Sequence, residues 1–594
     1  MKSRLILFRK SLQLVRRSAP GWTTANIAIS LFSSFIPLVL LWFIKRLVDS
    51  VTIAATEVSA SNTRMVLLMI LAIALVYFLD EAAQSLGNLV RKRQAYHLES
   101  YMYRLIHSKS VSLDLQHFED PSYYDSLSRA SREAPYRPSS IVNNIVMVLR
   151  SGISLLLMAA LLASLNWWLA VILIIANVPG IWLRMHFSDL LYNFRRELTP
   201  VARKSAYFNW LLTGDRPSRE MRLYGLGDYF SRLFRESFDR QKKEEISIVR
   251  KRSLIELVSS VFKAAAVLVT LYYIVMQTVS GDIGLGGLAM FLLAFRMGMT
   301  YIKQILGAAA GLYEDSLFIH DVFDFLELKE DVTPLPPVVA VNKLKDNIII
   351  EDLFFSYPSS AGDVLKGVNI RISRGETLAL VGANGAGKTT LVRLLCRLYD
   401  PQSGRIMIDG HDIRNIEPAA YRRLFSVVFQ DFMLYNLSAA GNIRAGDVFS
   451  EEDRERTRHA ARRVGIDELL AGLPRGYDTV IGRLFDDSRE LSWGEWQKIA
   501  LARALYREAE ILVLDEPASS LDAASEYAMF SRFSELSAGR TCILISHRLA
   551  NLKVADRIIV IDEGRVSEEG THEQLLNAGG GYSKLYAQQK SMYS

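Results

Sequence analysis

Six stretches of this chain are apolar for about as long as a bilayer is thick, and nothing else in the sequence limits the fold so severely. They cover residues 23–45, 65–90, 140–164, 167–184, 255–278 and 285–312. A hydrocarbon core of ~30 Å requires about 20 helical residues, because inside lipid every backbone N–H and C=O must be satisfied within the segment. The first half therefore reads as an all-α polytopic membrane domain. The totals agree: 594 residues exceed one core, and half of them are hydrophobic. The net charge is +7. The basic residues flank the apolar segments, so the excess reads as membrane topology, and no nucleic-acid partner is expected.

Loop composition sets the orientation. The loops after the first, third and fifth spans are short and poor in Lys and Arg ("VDSVTIAATEVSASNTR", "SLN", "SGDIG"). The N-terminus and the loops after the second and fourth are long and basic, which places both termini and both long loops in the cytoplasm. The opening "MKSRLILFRKSLQLVRRSAPGW" has no unbroken apolar run and no cleavage site, so it is not read as a signal peptide. Leu5, Phe8, Leu12 and Val15 at helical intervals among six Lys/Arg predict a basic amphipathic helix on the cytoplasmic membrane face. The two cysteines, Cys396 and Cys542, sit in apolar runs and read as reduced core thiols.

Composition changes after Leu326. "LKEDVTPLPPVVAVNKLKDN" carries three prolines and mixed charge and suits a linker. Beyond it, short β-branched runs alternate with helical stretches, the pattern of a parallel α/β core. The expected organisation is a membrane domain over 1–326 with cytoplasmic coupling loops, a linker over 327–347 and an α/β domain over 348–594.

"LALVGANGAGKTTLVRLL" is strand, glycine loop and helix. Such a loop wraps phosphates with backbone N–H groups while the helix N-terminus adds its dipole. The candidate nucleotide contacts here are Gly382, Ala383, Asn384, Gly385, Ala386, Gly387, Lys388, Thr389 and Thr390. Lys388 is expected to reach the β- and γ-phosphates and Thr389 to hold Mg²⁺. "ILVLDEP" is a buried strand ending in two acids. Asp515 is expected on the magnesium, and Glu516 beside the attacking water. Gln430 ends "FSVVFQ" and could touch metal and water. Tyr357 could stack on adenine, Asp522 ends "SSLD", and His547 ends "CILISH". A histidine or glutamine at a strand end is ordinarily polar surface; the order of all these pieces carries the information.

With those residues in that order, the chain resembles an ABC exporter half-transporter over nearly its whole length. The resemblance implies a P-loop ATPase domain of the ABC type, with ATP and Mg²⁺ as cofactors. It makes Tyr357 the aromatic stack, Gln430 the Q-loop, Ser520-Leu521-Asp522 the D-loop and His547 the switch histidine, with Glu516, His547 and Gln430 catalytic. The family signature LSGGQ matches at Leu491, Ser492 and Gly494. It departs at Trp493, where the family has glycine, and at Glu495, where it has glutamine. Ser492, Gly494 and Glu495 are thereby expected to cap ATP held by a second copy in a head-to-tail dimer. "GEWQK", with Trp496, is similar to the variant in bacterial peptide exporters, including those for lantibiotics. Leu115–Ala130 and Leu211–Leu226 resemble the two cytoplasmic coupling loops.

The resemblance implies a multi-pass protein of the bacterial cytoplasmic membrane, exporting a peptide or peptide-like cargo. Glu516 and His547 are both present, which favours a competent homodimer. No peptidase domain precedes the first span, so leader cleavage is expected elsewhere. The rivals are a lipid or multidrug exporter and, in another class, a non-pumping ATP-gated sensor. A cytosolic ATPase acting on DNA or ribosomes is excluded by the spans. Asp80, Glu81, Lys263, Arg296 and Lys303 lie inside spans, Arg296 about 16 Å from the outer end of the sixth. Ionisable residues at such depth pair with one another or line a wet cavity. Tyr77, Tyr272, Tyr273 and Tyr301 are further lining candidates.

Overall fold

A computed structural model describes residues 13–57, 59–120, 134–178, 199–329, 332–358, 362–517, 523–531 and 539–593, with a few isolated positions between them. Two units emerge: Met1–Val111 with Tyr124–Leu328, and Ser112–Tyr123 with Lys329–Ser594.

The first unit is helical. Its long elements are α1 (Pro20–Thr56), α2 (Ala60–Ser112), α3 (Arg137–Leu165), α4 (Trp167–Ile175), α5 (Gly227–Val279) and α6 (Leu285–Leu326). All but α4 are long and apolar enough to cross a membrane, five among the described residues. The fourth expected span, 167–184, is described only to residue 178, and its remainder lies outside the described residues. The opening residues Leu5, Phe8 and Leu12 also lie outside; Val15, on a helical stretch, is buried. α2 and α5 run for 53 residues each. At 1.5 Å per residue that is about 80 Å, far more than a bilayer needs.

In lipid, helices associate through small residues and hydrogen bonds rather than through apolar burial. α1 buries Asn26, Ser30, Ser33 and Ser34. Ser154 of α3 donates to the Ser34 carbonyl at 3.1 Å, and Asn26 donates to Gln94 of α2 at 3.0 Å. α3 and α6 are joined by Ser151 donating to Gln304 (2.9 Å) and by Arg137 and Asn144 donating to the buried Asp315 (2.8 and 3.0 Å). The apolar centre of the unit gathers Leu41, Met158, Leu173, Ile274 and Phe295.

The second unit contains two sheets. β1 (Asn347–Phe355), β2 (Leu365–Ser373), β4 (Ser403–Ile408) and β5 (His411–Asp412) form an antiparallel sheet in the order β2-β1-β4-β5. β3 (Thr377–Val381), β6 (Phe425–Val428), β7 (Ile511–Asp515), β8 (Thr541–Ile545), β9 (Arg557–Asp562) and β10 (Arg565–Gly570) form the other, in the order β10-β9-β3-β8-β7-β6. All neighbours in it are parallel except the edge pair β9–β10. β3, β7 and β8 are buried at every residue, so they read as unbroken apolar runs without alternation. Helix α7 (Lys388–Leu395) follows β3, and α8 (Trp493–Tyr506) begins at Trp493, inside the stretch compared above with LSGGQ. Trp496 is a core residue, 2% exposed among Ile443, Leu470 and Ile481. Cys396 and Cys542 are free and buried, and burial pushes both thiols up to about 12, as inert core thiols require.

Candidate functional site

In an open parallel sheet, ligands bind beyond the carboxyl ends of the strands. β3, β8, β7 and β6 lie side by side, with Asp515 level with Ile545 and Val428 level with Leu514. The residues that follow these strands therefore emerge along one edge. They are the glycine loop after β3, His547 after β8, Glu516 after β7 and Gln430 after β6. Sequence positions far apart are brought together by topology alone.

Gly382 and Gly387 show why this loop needs glycine. Gly382 has φ +156°, and a Cβ there would stand 2.1 Å from the Ile561 carbonyl oxygen. Gly387, at φ +106°, caps α7, and its Cβ would stand 2.6 Å from Leu365. Ala383, Asn384 and Gly385 are exposed between them, as a loop that receives a ligand must be. Lys388 is buried, with Nζ donating to the carbonyls of Gly382 (2.8 Å) and Ala383 (3.0 Å). Burial lowers its pKa, while the nearby Glu516 and Asp515 raise it. Among the described residues its ammonium has no carboxylate in ion-pair contact, and it sits over the loop, placed to exchange carbonyls for phosphate oxygens.

Thr389 Oγ1 donates to Asp515 Oδ2 at 3.3 Å. Asp515 is pushed up to about 6, by burial first and by neighbouring Glu516 second. Above pH 6 the folded chain holds this carboxylate ionised at a cost. The rise from 3.8 to about 6 is worth on the order of 3 kcal/mol. As pH falls through 6 the folded state takes up the proton and the cost is relieved. Asp515→Asn is therefore expected to melt higher than the parent at pH 8 without nucleotide. That advantage should narrow by about 1.4 kcal/mol at one unit below the folded value. Melting curves across that range check it; a constant difference would contradict the assignment.

Glu516 has φ +52°, uncommon for a residue with a side chain. Its Oε2 accepts from Gln430 Nε2 (3.0 Å) and its Oε1 lies 2.9 Å from His547 Nε2. Its backbone is also pinned: N–H to the Ile545 carbonyl (3.0 Å), and C=O to Gln497 Nε2 (3.2 Å). Gln497 was not singled out from the sequence. It lies on α8 one residue past the "GEW" motif, and only the fold shows it reaching the acid.

Hard oxygen donors at a helix start, Thr389 and Asp515 with Gln430 nearby, suit Mg²⁺, which keeps few protein ligands and takes the rest from phosphate and water. Among the described residues no group of three or more His, Cys, Asp or Glu could hold a metal ion. The glycine loop and Lys388 fit a triphosphate. Thr390 is tied elsewhere: it shares a 3.0 Å hydrogen bond with the Tyr357 hydroxyl. Tyr357 packs edge-on against Phe355 and Tyr399 and accepts from Arg393 at 3.2 Å. Arg393 also reaches Glu119 at 3.1 Å, on the short helix Leu115–Glu119 that is counted with this unit. None of that network was legible beforehand.

Ser492 is the N-cap of α8. Its Oγ accepts from the Glu495 N–H (3.4 Å), and its own N–H donates to Glu495 Oε2 (2.7 Å). Glu495 is thus occupied as a capping-box acid. Gly494 is half-buried in the first turn. Trp493 is 50% exposed, with its ring 5.1 Å from that of Phe432. Ser520, Leu521 and Asp522 lie outside the described residues.

The family description "ABC transporter transmembrane region" matches residues 23–301, and "ABC transporter" matches residues 365–519. The chain is 30% identical over 562 residues to the subtilin transport ATP-binding protein SpaT of Bacillus subtilis, covering 94% of this chain and 90% of that one. It is 27% identical to the nisin transport ATP-binding protein NisT of Lactococcus lactis, covering 98% and 96%. It is 32% identical to the ATP-dependent lipid A-core flippase of Cupriavidus pinatubonensis, covering 75% of each chain. A bacterial Atm1-family ABC exporter structure with ATP bound superposes with a TM-score of 0.82 at 23% identity, over 97% of this chain and 98% of that one.

Proposed function

The chain belongs to the ABC transporters, ATP-hydrolysing exporters coupled to transport, and on that premise we propose that it exports a peptide or peptide-like natural product across the bacterial cytoplasmic membrane. Half-transporters of this kind work as dimers. The partner proposed here is a second copy, because Glu516 and His547 make each copy competent. Both termini and both long loops are assigned to the cytoplasm, on the distribution of Lys and Arg.

At the nucleotide, Lys388 would balance charge on the β- and γ-phosphates, while Thr389, Asp515 and Gln430 would hold Mg²⁺. That ion, when bound, neutralises charge on the phosphate oxygens. Glu516 would accept the proton of the attacking water, held at that point by Gln430 and His547. Tyr357 and Thr390 would form the wall nearest the base, and Ser492, Gly494 and Asp522 of the second copy would close the site.

One observation favours a peptide. A cavity of about 670 Å³ in the membrane unit is lined by Asp80, Gln84, Arg91, Arg150, Tyr301 and Gln304. It offers charges of both signs and amide groups, which suit a peptide better than acyl chains. Asp80 accepts from Gln84 (2.8 Å), and among the described residues no basic side chain pairs with it. Glu81, Tyr77 and Tyr272 are exposed and do not line this cavity, and Tyr273 is bound to Asn166 and Gln277. The second reading, a lipid exporter, is favoured by the likeness to lipid A-core flippases.

The test is uptake of a labelled peptide into inverted vesicles. ATP-dependent accumulation that disappears in Glu516→Gln is expected. Lipid flipping with no peptide uptake would replace this reading with the second. ATPase activity with no vectorial movement of either would leave a sensor.

A further inference from the structure

We propose that α5 and α6 of the membrane unit form a separate pocket that binds a carboxylate of the cargo, an inference that rests on the peptide-export reading. This pocket, about 500 Å³, is lined by Lys263 and Thr270 of α5, by Arg296, Met299 and Lys303 of α6, and by Asn177. The three ionisable residues of its described lining are all cations. Among the described residues none of them has an acid within ion-pair distance.

Arg296 and Lys303 are seven residues apart and share one face of α6. They lie about 16 and 27 Å along the helix from its Leu285 end. Lys263 lies about 24 Å from the Val279 end of α5. Three like charges at this depth repel one another, and inside a membrane unit such groups persist where they pair or line a wet path. The described residues supply no counter-charge here, and a ligand that carries one would settle the three cations.

A second observation is independent of charge. Thr270 is 1% exposed, and its Oγ1 has no hydrogen-bond partner among the described residues. A helical threonine ordinarily donates to the carbonyl four residues back, as Thr278 does to Ile274 and Thr300 to Arg296. Thr270 departs from that habit while lining the pocket. An unsatisfied buried hydroxyl beside three cations is a donor set for an oxyanion.

Peptide carboxylate is preferred over lipid phosphate because of the neighbouring cavity. Thr300 lines both, so the two lie on adjacent faces of α6. Among the described residues one carries Asp80, without an ion-pair partner, beside two arginines, and the other carries cations alone. A molecule that satisfies both brings a cation and an anion close together, as a peptide does through its side chains or termini. A polyanionic headgroup would satisfy the second pocket but bring no cation for Asp80.

The experiment uses the full chain in nanodiscs of zwitterionic lipid. Three probes are compared: an amphipathic peptide rich in glutamate and lysine, its twin with glutamine for each glutamate, and a phosphomonoester lipid. Binding is read by fluorescence and stimulation by ATPase, each as the ratio of half-saturating concentrations between twins, so changes in overall activity cancel. The parent should prefer the glutamate peptide by about tenfold or more. That preference should vanish in Arg296→Gln/Lys303→Gln and weaken in Thr270→Val, which keeps the shape. Equal response to both peptides in the parent would overturn the pocket while leaving peptide export standing. Response to the lipid alone, lost in the double variant, would overturn both the carboxylate assignment and the peptide reading. A preference unchanged in the double variant would place recognition elsewhere and overturn the pocket.

Discussion

Glu516→Gln is expected to lower saturated ATPase by about a hundredfold or more while nucleotide still binds, because the substitution removes only the proton acceptor. The side chain keeps its length and can still accept from Gln430, so the loop geometry survives. Lys388→Ala is the contrast. It removes the cation over the loop, so nucleotide affinity itself should fall. Affinity by fluorescent nucleotide and turnover by phosphate release separate the two. Bound nucleotide with stalled turnover should also hold the paired domains together, visible as an ATP-stabilised dimer of Glu516→Gln. Near-normal turnover in that variant would sink the general-base assignment.

How much of this was legible in the sequence depends on what kind of constraint each residue obeys. The glycine loop was legible because backbone sterics write it directly: Gly382 and Gly387 occupy conformations and contacts that no side chain tolerates. The strand-end residues Gln430, Glu516 and His547 were legible through their order, since consecutive apolar strands fix which tips share an edge. Membrane helices were legible by length, five of them as whole elements among the described residues. Side-chain partnerships were not. Tyr357 reads as an adenine platform, yet its hydroxyl is engaged by Thr390 and Arg393. Gln497 reaching Glu516 and Thr270 joining three cations both depend on how helices rotate against their neighbours. Rotation follows from packing at the tertiary level, and a single chain's pattern fixes only the face. The heptad from Arg296 to Lys303 could be read in advance; their convergence with Lys263 could not.

Gly494→Asp is expected to abolish hydrolysis, and Trp493→Gly to change it little. Trp493 opens α8 with an ordinary negative φ, so the family's glycine is not required there for backbone reasons. Its indole lies against Phe432, two residues past Gln430, and turns outward from the helix axis. The first backbone bond of the helix runs from the Trp496 N–H to the Ser492 carbonyl, and the Glu495 N–H is taken by Ser492 Oγ. The N–H groups of Trp493 and Gly494 are left without an acceptor among the described residues. A helix N-terminus with two open donors favours an anion. A carboxylate at 494 would occupy that approach and add like charge beside Glu495. Loss of this donor end should cost about a hundredfold or more in turnover. Binding at the variant's own glycine loop should persist, which distinguishes failed closure from failed folding. Trp493→Gly removes an aromatic pair worth about 0.5–1.5 kcal/mol and leaves both donors in place. Steady-state ATPase at saturating ATP compares the three proteins. A gain of tenfold or more in Trp493→Gly, about 1.4 kcal/mol in barrier, would show instead that the indole brakes the dimer, with Phe432 as the surface it is held against.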